Sequence, residues 1–272
     1  MIGTALLLVV SCAPGDPAVA SATATSPAAP ATSSLTAAQK AAIGRKIWQN
    51  ECGGSVAGLT TWNEGEEFPS LGIGHFIWYP AGFKGRFNET WPQFAAFARK
   101  RGSALPALAT QAHSPWRSKA EFEREFTSPR LTALRNWLAA NVTLQTDFII
   151  ARSHAALPQI TAAAPRSERA RIERNYHKVA ASPQGTYALI DYVNFKGEGT
   201  LPTERYQGRG WGLLQVLGEM REAPAGPAAA AEFAAAAKRV LSRRIANSPP
   251  ARGEQRWEQG WHNRCDTYAR PL

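Results

Sequence analysis

Apolar positions recur at helical spacing along most of this chain, and one early stretch breaks the pattern. Thr36 is placed to cap a helix over residues 37–50, with Gly53 and Gly54 closing it. Residues 59–79 change character: Thr, Trp, Phe, Ile and Tyr, punctuated by Gly65, Pro69, Gly72 and Gly74, predict short strands and turns. Thr90-Trp91-Pro92 opens the next helix, which stops near Gly102. Ser118 starts another, with Phe122 and Phe126 on one face. Stripes follow at Leu131, Leu134 and Leu138, and at Phe148, Ile149, Arg152 and Leu157. Residues 166–180 read as a strongly charged, solvent-facing helix, and 186–195 as an apolar core helix. Residues 210–220 form a further helix, and 228–245 an alanine-rich one that begins after Pro227. No internal repeat is evident. The predicted layout is α+β: a small β lobe near the N-terminus of a larger, mainly helical domain.

Composition changes this picture at the N-terminus. The apolar run at residues 5–10 is too short to span a bilayer and reads as a secretion signal, although no Lys or Arg precedes it. It ends at Ser11-Cys12, and a small residue followed by cysteine resembles the lipobox of bacterial lipoproteins. That resemblance implies a lipid anchor at Cys12. Residues 13–35 are almost wholly Ala, Pro, Ser and Thr, too poor in apolar bulk to repay the entropy of folding, and are expected to form a disordered tether. Residues 36–272 then hold the domain, with a long helical insertion around 80–180. The expected location is periplasmic, on the outer membrane.

Charge and cysteines add less. A formal net charge of +10 suits an anionic partner: nucleic acid, acidic headgroups or the acidic polymers of a cell wall. Export argues against nucleic acid. Cys52 and Cys265 remain if Cys12 carries lipid, and in an oxidising compartment they could pair. Two isolated cysteines and five scattered histidines lack ligand spacing, so no metal and no cofactor is expected. The protein is expected to act as a monomer.

The chemistry concentrates between residues 51 and 75. Glu51 falls at the predicted C-terminal end of a helix, where the macrodipole disfavours a negative charge. Trp48 lies one turn away and Trp62 follows. Indoles enclosing the carboxyl would raise its pKa, as a general acid needs; the alternative is an exposed helix-end residue. An acidic stretch with Glu64, Glu66 and Glu67 then leads into Ser70-Leu71-Gly72-Ile73-Gly74-His75.

This order of residues resembles the active-site region of phage-type lysozymes (endolysins). In that family a helix-end Glu is the general acid, and an Asp and a Thr before a Gly-x-Gly-His segment position the attacking water. Glu64 precedes His75 by eleven positions and Ser70 precedes it by five, matching the family's Asp and Thr. The stretch after Glu51 is a few residues longer than usual, which leaves Glu66 or Glu67 open as the second carboxylate. Two later segments extend the likeness. Residues 187–197 resemble the central buried helix, and 208–217 the cleft-bordering turn and helix after it. Gly260-Trp261-His262-Asn263-Arg264 is similar to the family's closing Gly-x-x-x-Arg helix.

The resemblance implies a lysozyme-like fold that cleaves peptidoglycan glycan strands. Glu51 would protonate the glycosidic oxygen, while Glu64 with Ser70 would activate water. Carboxylates about 6.5–9.5 Å apart would give inversion. Trp62, Trp78 and Trp211 would offer faces for sugars, and Asn194 would line the cleft near Glu198, Glu204, Arg205 and Gln207. His75 would pair with a carboxylate at its edge. Two alternatives stay open. One is a lytic transglycosylase using Glu51 alone, and the other is a non-catalytic peptidoglycan-binding lipoprotein of the same fold.

Overall fold

The first helix is set by local chemistry. In a computed structural model, which describes residues 35–85, 87–202 and 204–272, helix α1 spans Ala37–Cys52. The expected signal, tether and Cys12 anchor lie outside these residues. The Thr36 hydroxyl accepts the Gln39 amide at 3.2 Å, and the Gln39 side chain accepts the Thr36 amide at 2.8 Å. This reciprocal box satisfies two orphan donors of the first turn. At the other end Gly53 adopts φ 61°, and its N–H caps the Trp48 carbonyl.

The β lobe follows as three two-residue strands: β1 (Thr60–Thr61), β2 (Ser70–Leu71) and β3 (Phe76–Ile77). They pair antiparallel in the order β1-β2-β3, with Ser70 opposite both Thr61 and Ile77. The turn between β2 and β3 needs its glycines. Gly72 has φ 70°, and a Cβ there would lie 2.3 Å from the Gln145 side-chain oxygen; one at Gly74 would lie 2.5 Å from the Phe76 ring.

The remaining helices are α2 (Trp91–Lys100), α3 (Lys119–Arg124), α4 (Pro129–Ala140), α5 (Val142–Ala162), α6 (Arg169–Ala180) and α7 (Pro183–Lys196). A hairpin of β4 (Arg205–Tyr206) and β5 (Arg209–Gly210) precedes α8 (Leu213–Glu219), α9 (Pro227–Asn247) and α10 (Glu258–Asp266). The architecture is mostly helical with small antiparallel sheets, as the α+β reading expects.

Residues 80–180 are built into the core rather than appended to it. A Cβ on Gly44 of α1 would lie 2.3 Å from the Thr146 hydroxyl of α5, so the side chains of α5 pack directly onto the α1 backbone there. Gln145 ties α5 to the β lobe. Fully buried, its amide oxygen accepts the Ile73 N–H at 2.9 Å, and its amide nitrogen donates to the Leu138 carbonyl at 2.7 Å. Aromatic packing seals the same boundary, with Phe76 stacked on Phe94 at 4.7 Å and edge-on to Phe148 at 5.4 Å.

One helix departs from its expected exposure. α6 was expected to face solvent along its length, yet Ile172, Asn175, Tyr176, Val179 and Ala180 are buried. Its charges occupy only the outer face, and the inner stripe packs on the core. α7 is the buried centre, with every residue from Gln184 to Tyr192 inaccessible or nearly so. The alanines of α9 leave room for close neighbours: Ala229, Ala230, Ala234, Ala236 and Ala237 are all buried.

Candidate active site

Glu51 is in the last turn of α1, its side chain 16% exposed. Its Oε1 accepts a hydrogen bond from Arg264 Nη2 at 2.6 Å, which joins α1 to α10 across 213 positions of sequence. Arg264 also forks onto Asp191 of α7, donating from Nε to Oδ2 and from Nη2 to Oδ1, each at 2.8 Å. Asp191 has no exposed surface and takes two further donors, Tyr268 Oη at 2.7 Å and Asn50 Nδ2 at 2.9 Å. A buried carboxylate is tolerated only when its oxygens are met this fully. Burial works against the Arg264 charge, but the hydrogen bonds and charge of Asp191 outweigh it and hold the guanidinium above its usual range.

The polar partner of the Glu51 carboxylate is thus a cation, and the indoles expected near it are held through their N–H groups. Trp48 donates its indole N–H to the Ser55 carbonyl at 3.0 Å, and Trp62 donates to the Glu66 carbonyl at 2.7 Å. Trp48 is held by the loop after α1 and Trp62 by the loop between β1 and β2.

The β lobe treats its residues differently. Glu64 lies in the β1–β2 loop with its side chain 94% exposed, 3.7 Å from Lys119 of α3. Glu66 takes a hydrogen bond from Asn63 at 3.0 Å. Ser70 is buried within β2, its neighbours fixed by pairing on both sides. Trp62 is buried against Phe122 at 6.1 Å and borders an open groove of about 740 Å³ shared with Thr61, Glu64, Lys119 and Phe126. The structure therefore gathers Glu64 and Trp62 with α3, and Glu51 with α7 and α10.

His75 adopts φ 46° after the glycine turn, and its Nε2 lies 3.8 Å from Cys52 Sγ rather than on a carboxylate. The expected disulfide is not formed: Cys52 and Cys265 are both free. Cys52 faces His75 and the Gly72 carbonyl, while Cys265 points into the core beside Asp191. Burial pushes the Cys52 thiol up to about 12, with the Glu51 charge adding to it. Cys265 is likewise pushed up to about 12 by burial and by Asp191.

Trp78, expected to offer a face to substrate, is a core residue instead. It has no exposure and packs on Trp91 and Trp116 at 5.6 and 6.1 Å. Asn194 is exposed and lines a small cavity of about 60 Å³ with Arg152, Ser153 and Glu198. This cavity adjoins the glycine turn through Ile149, whose Cδ1 would lie 3.0 Å from a Cβ on Gly74. Trp211 is mostly buried, 4.6 Å from the Tyr206 ring, with the Arg244 guanidinium 4.1 Å above its face. Arg244 in turn forks onto the fully buried Glu254 carboxylate at 2.9 and 2.8 Å.

Lys196, the last residue of α7, was not expected at the site. Its ammonium sits 3.3 Å from the Trp261 ring centre and 4.0 Å from that of Phe195. Burial, then the nearby Arg244 charge, lower it to about 7. The signal for the Asp191 network was present in the sequence, since an aspartate inside an otherwise apolar helix must find buried partners. Among the described residues, no cluster of His, Cys, Asp or Glu is placed to hold a metal ion, and no helix is long and apolar enough to cross a membrane. Compared with known protein families, characterised proteins and solved structures, the chain matches none.

Proposed function

We propose that this protein cleaves peptidoglycan glycan strands with Glu51 as the general acid, working outside the cytoplasm on a lipid anchor at Cys12. The observation that carries the proposal is the Glu51–Arg264 pair at 2.6 Å. The two residues stand at the two ends of the lysozyme-like pattern in the sequence, and the fold brings them into direct contact. A protonated Glu51 would deliver its proton to the glycosidic oxygen as the C1–O bond breaks.

Two routes can complete the reaction. In one, the sugar's own C6 hydroxyl attacks C1, its proton returns to Glu51, and the product ends in a 1,6-anhydro ring. The exposure of Glu64, its pairing with Lys119 and the burial of Ser70 favour this route, because it asks nothing of a second carboxylate. In the other, Glu64 with Ser70 activates water, a muramidase reaction favoured by their spacing before His75. Zymography on purified peptidoglycan tests the proposal: wild-type protein clears the substrate and Glu51→Gln does not. Binding without clearing by the wild type would make the protein a lysozyme-like scaffold instead. Anhydro ends among the products identify the first route, and reducing ends the second.

A further inference from the structure

The end of α7, the turn before α10 and α10 itself together carry an aromatic and cationic strip whose inner end is the Glu51–Arg264 pair. At its outer end Trp257 is 43% exposed, one of only four large apolar side chains with substantial exposure among the described residues. Its ring stacks on Trp261 with centroids 6.0 Å apart and planes 28° from parallel. The Arg256 guanidinium covers Trp257 at 4.4 Å, and the Lys196 ammonium covers Trp261 at 3.3 Å. Beyond Lys196, Phe195 lies under the Arg264 guanidinium at 4.5 Å. From Trp257 to Arg264 is two turns of helix, a rise of about 10 Å.

Two properties of the strip call for a ligand. Trp257 leaves part of its indole in water with the half-buried Trp261 stacked against it, and such a patch marks a binding surface when polar groups rim it. The rim holds Arg256, charged at every working pH, and Lys196, whose ammonium predominates only below about 7. Glu254 is taken by Arg244 and Arg252. Among the described residues, neither Lys196 nor Arg256 has a carboxylate within ion-pair distance; each rests on a ring face. A cation held on an aromatic face keeps its outward side for an anion.

We infer that the strip formed by Trp257, Trp261, Lys196 and Arg256 is a binding subsite for an acidic saccharide, with a sugar ring packing against the exposed part of Trp257 and a substituent carboxylate meeting Arg256 and Lys196. The inference rests on the reading of Glu51 as the cleavage site and specifies its substrate: a glycan strand that still bears carboxylates on its muramic acid units or peptide stems. A neutral chitin-type chain would gain the stacking but not the ion pairs.

The test measures binding rather than turnover, by calorimetry on the full chain carrying Glu51→Gln so that the ligand survives. The probes are a stem-bearing peptidoglycan tetrasaccharide and neutral chitotetraose. The acidic chain is expected to bind about tenfold more tightly than the neutral one. Lys196→Met and Arg256→Gln each narrow that preference, whereas Trp257→Ala, with an unchanged melting temperature as the control for folding, weakens both ligands about tenfold. Equal affinity for the two chains, or unchanged binding in Trp257→Ala, would overturn the subsite. Clearing of peptidoglycan by the wild type together with unchanged binding in Trp257→Ala overturns the strip alone. Tight binding lost in Trp257→Ala, with no clearing by the wild type, overturns the cleavage reading alone.

Discussion

Glu51 and Glu64 are both carboxylates of one short segment, yet the fold treats them in opposite ways. Glu51 is fixed through Arg264 to a buried Asp191 that accepts four hydrogen bonds from three other residues. Glu64 stands in water, 3.7 Å from a lysine that also pairs with Glu123. The contrast teaches that a side chain is positioned by the polar groups that must be satisfied around it, and that a screened surface pair positions little. The proposed cleavage therefore leans on Glu51 and asks little of Glu64.

The sharpest way to break that contrast is Glu51→Gln, which should cut clearing of peptidoglycan by about 10²–10⁴-fold, as removal of a general acid does. Retention of activity would place the chemistry elsewhere. Asp191→Ala probes the scaffold behind Glu51. It strands Arg264 without its main partner and should lower stability by about 3–5 kcal/mol in chemical denaturation, as breaking a buried pair does. A cost near zero would mean that the network holds nothing.

A third test uses pH. Unfolding returns Lys196 from about 7 to its ordinary 10.5, so between those values the unfolded chain binds more protons and stability rises with pH. The thiols of Cys52 and Cys265 act the other way. Held at about 12 when folded, they release protons on unfolding once pH exceeds 9.0, and stability then falls. The melting temperature should therefore climb from pH 7 to about 9 and decline beyond it, and Lys196→Met should flatten the climb. The smallest effect belongs to Glu64→Gln. Melting temperature and clearing should stay close to wild type with anhydro ends still formed, whereas loss of clearing would restore Glu64 as the second carboxylate.

What could be read from the sequence was what neighbours in the chain decide. The Thr36 cap, the Gly53 stop and the glycine turn before His75 all depend on local spacing, and each is present; the helix after Ser118 ends at Arg124, before Phe126, although the Phe122 and Phe126 rings still meet. The misreadings share a different cause. Trp78 was read as a sugar platform because aromatic residues serve both surfaces and cores, and only packing against Trp91 and Trp116 decides between them. The inner stripe of α6 was hidden by the charges around it. Arg264 was visible as a motif position, but its double engagement with Glu51 and Asp191 needs three helices in place.

That engagement also orders events in the life of the chain. Glu51 is made early and Arg264 213 positions later, so the pair forms only after α10 has been synthesised and docked. A shortened product lacking that helix would keep the acid, the glycine turn and most of the core, yet present Glu51 without its counter-charge. A product that stops short of Arg264 cannot form the pair.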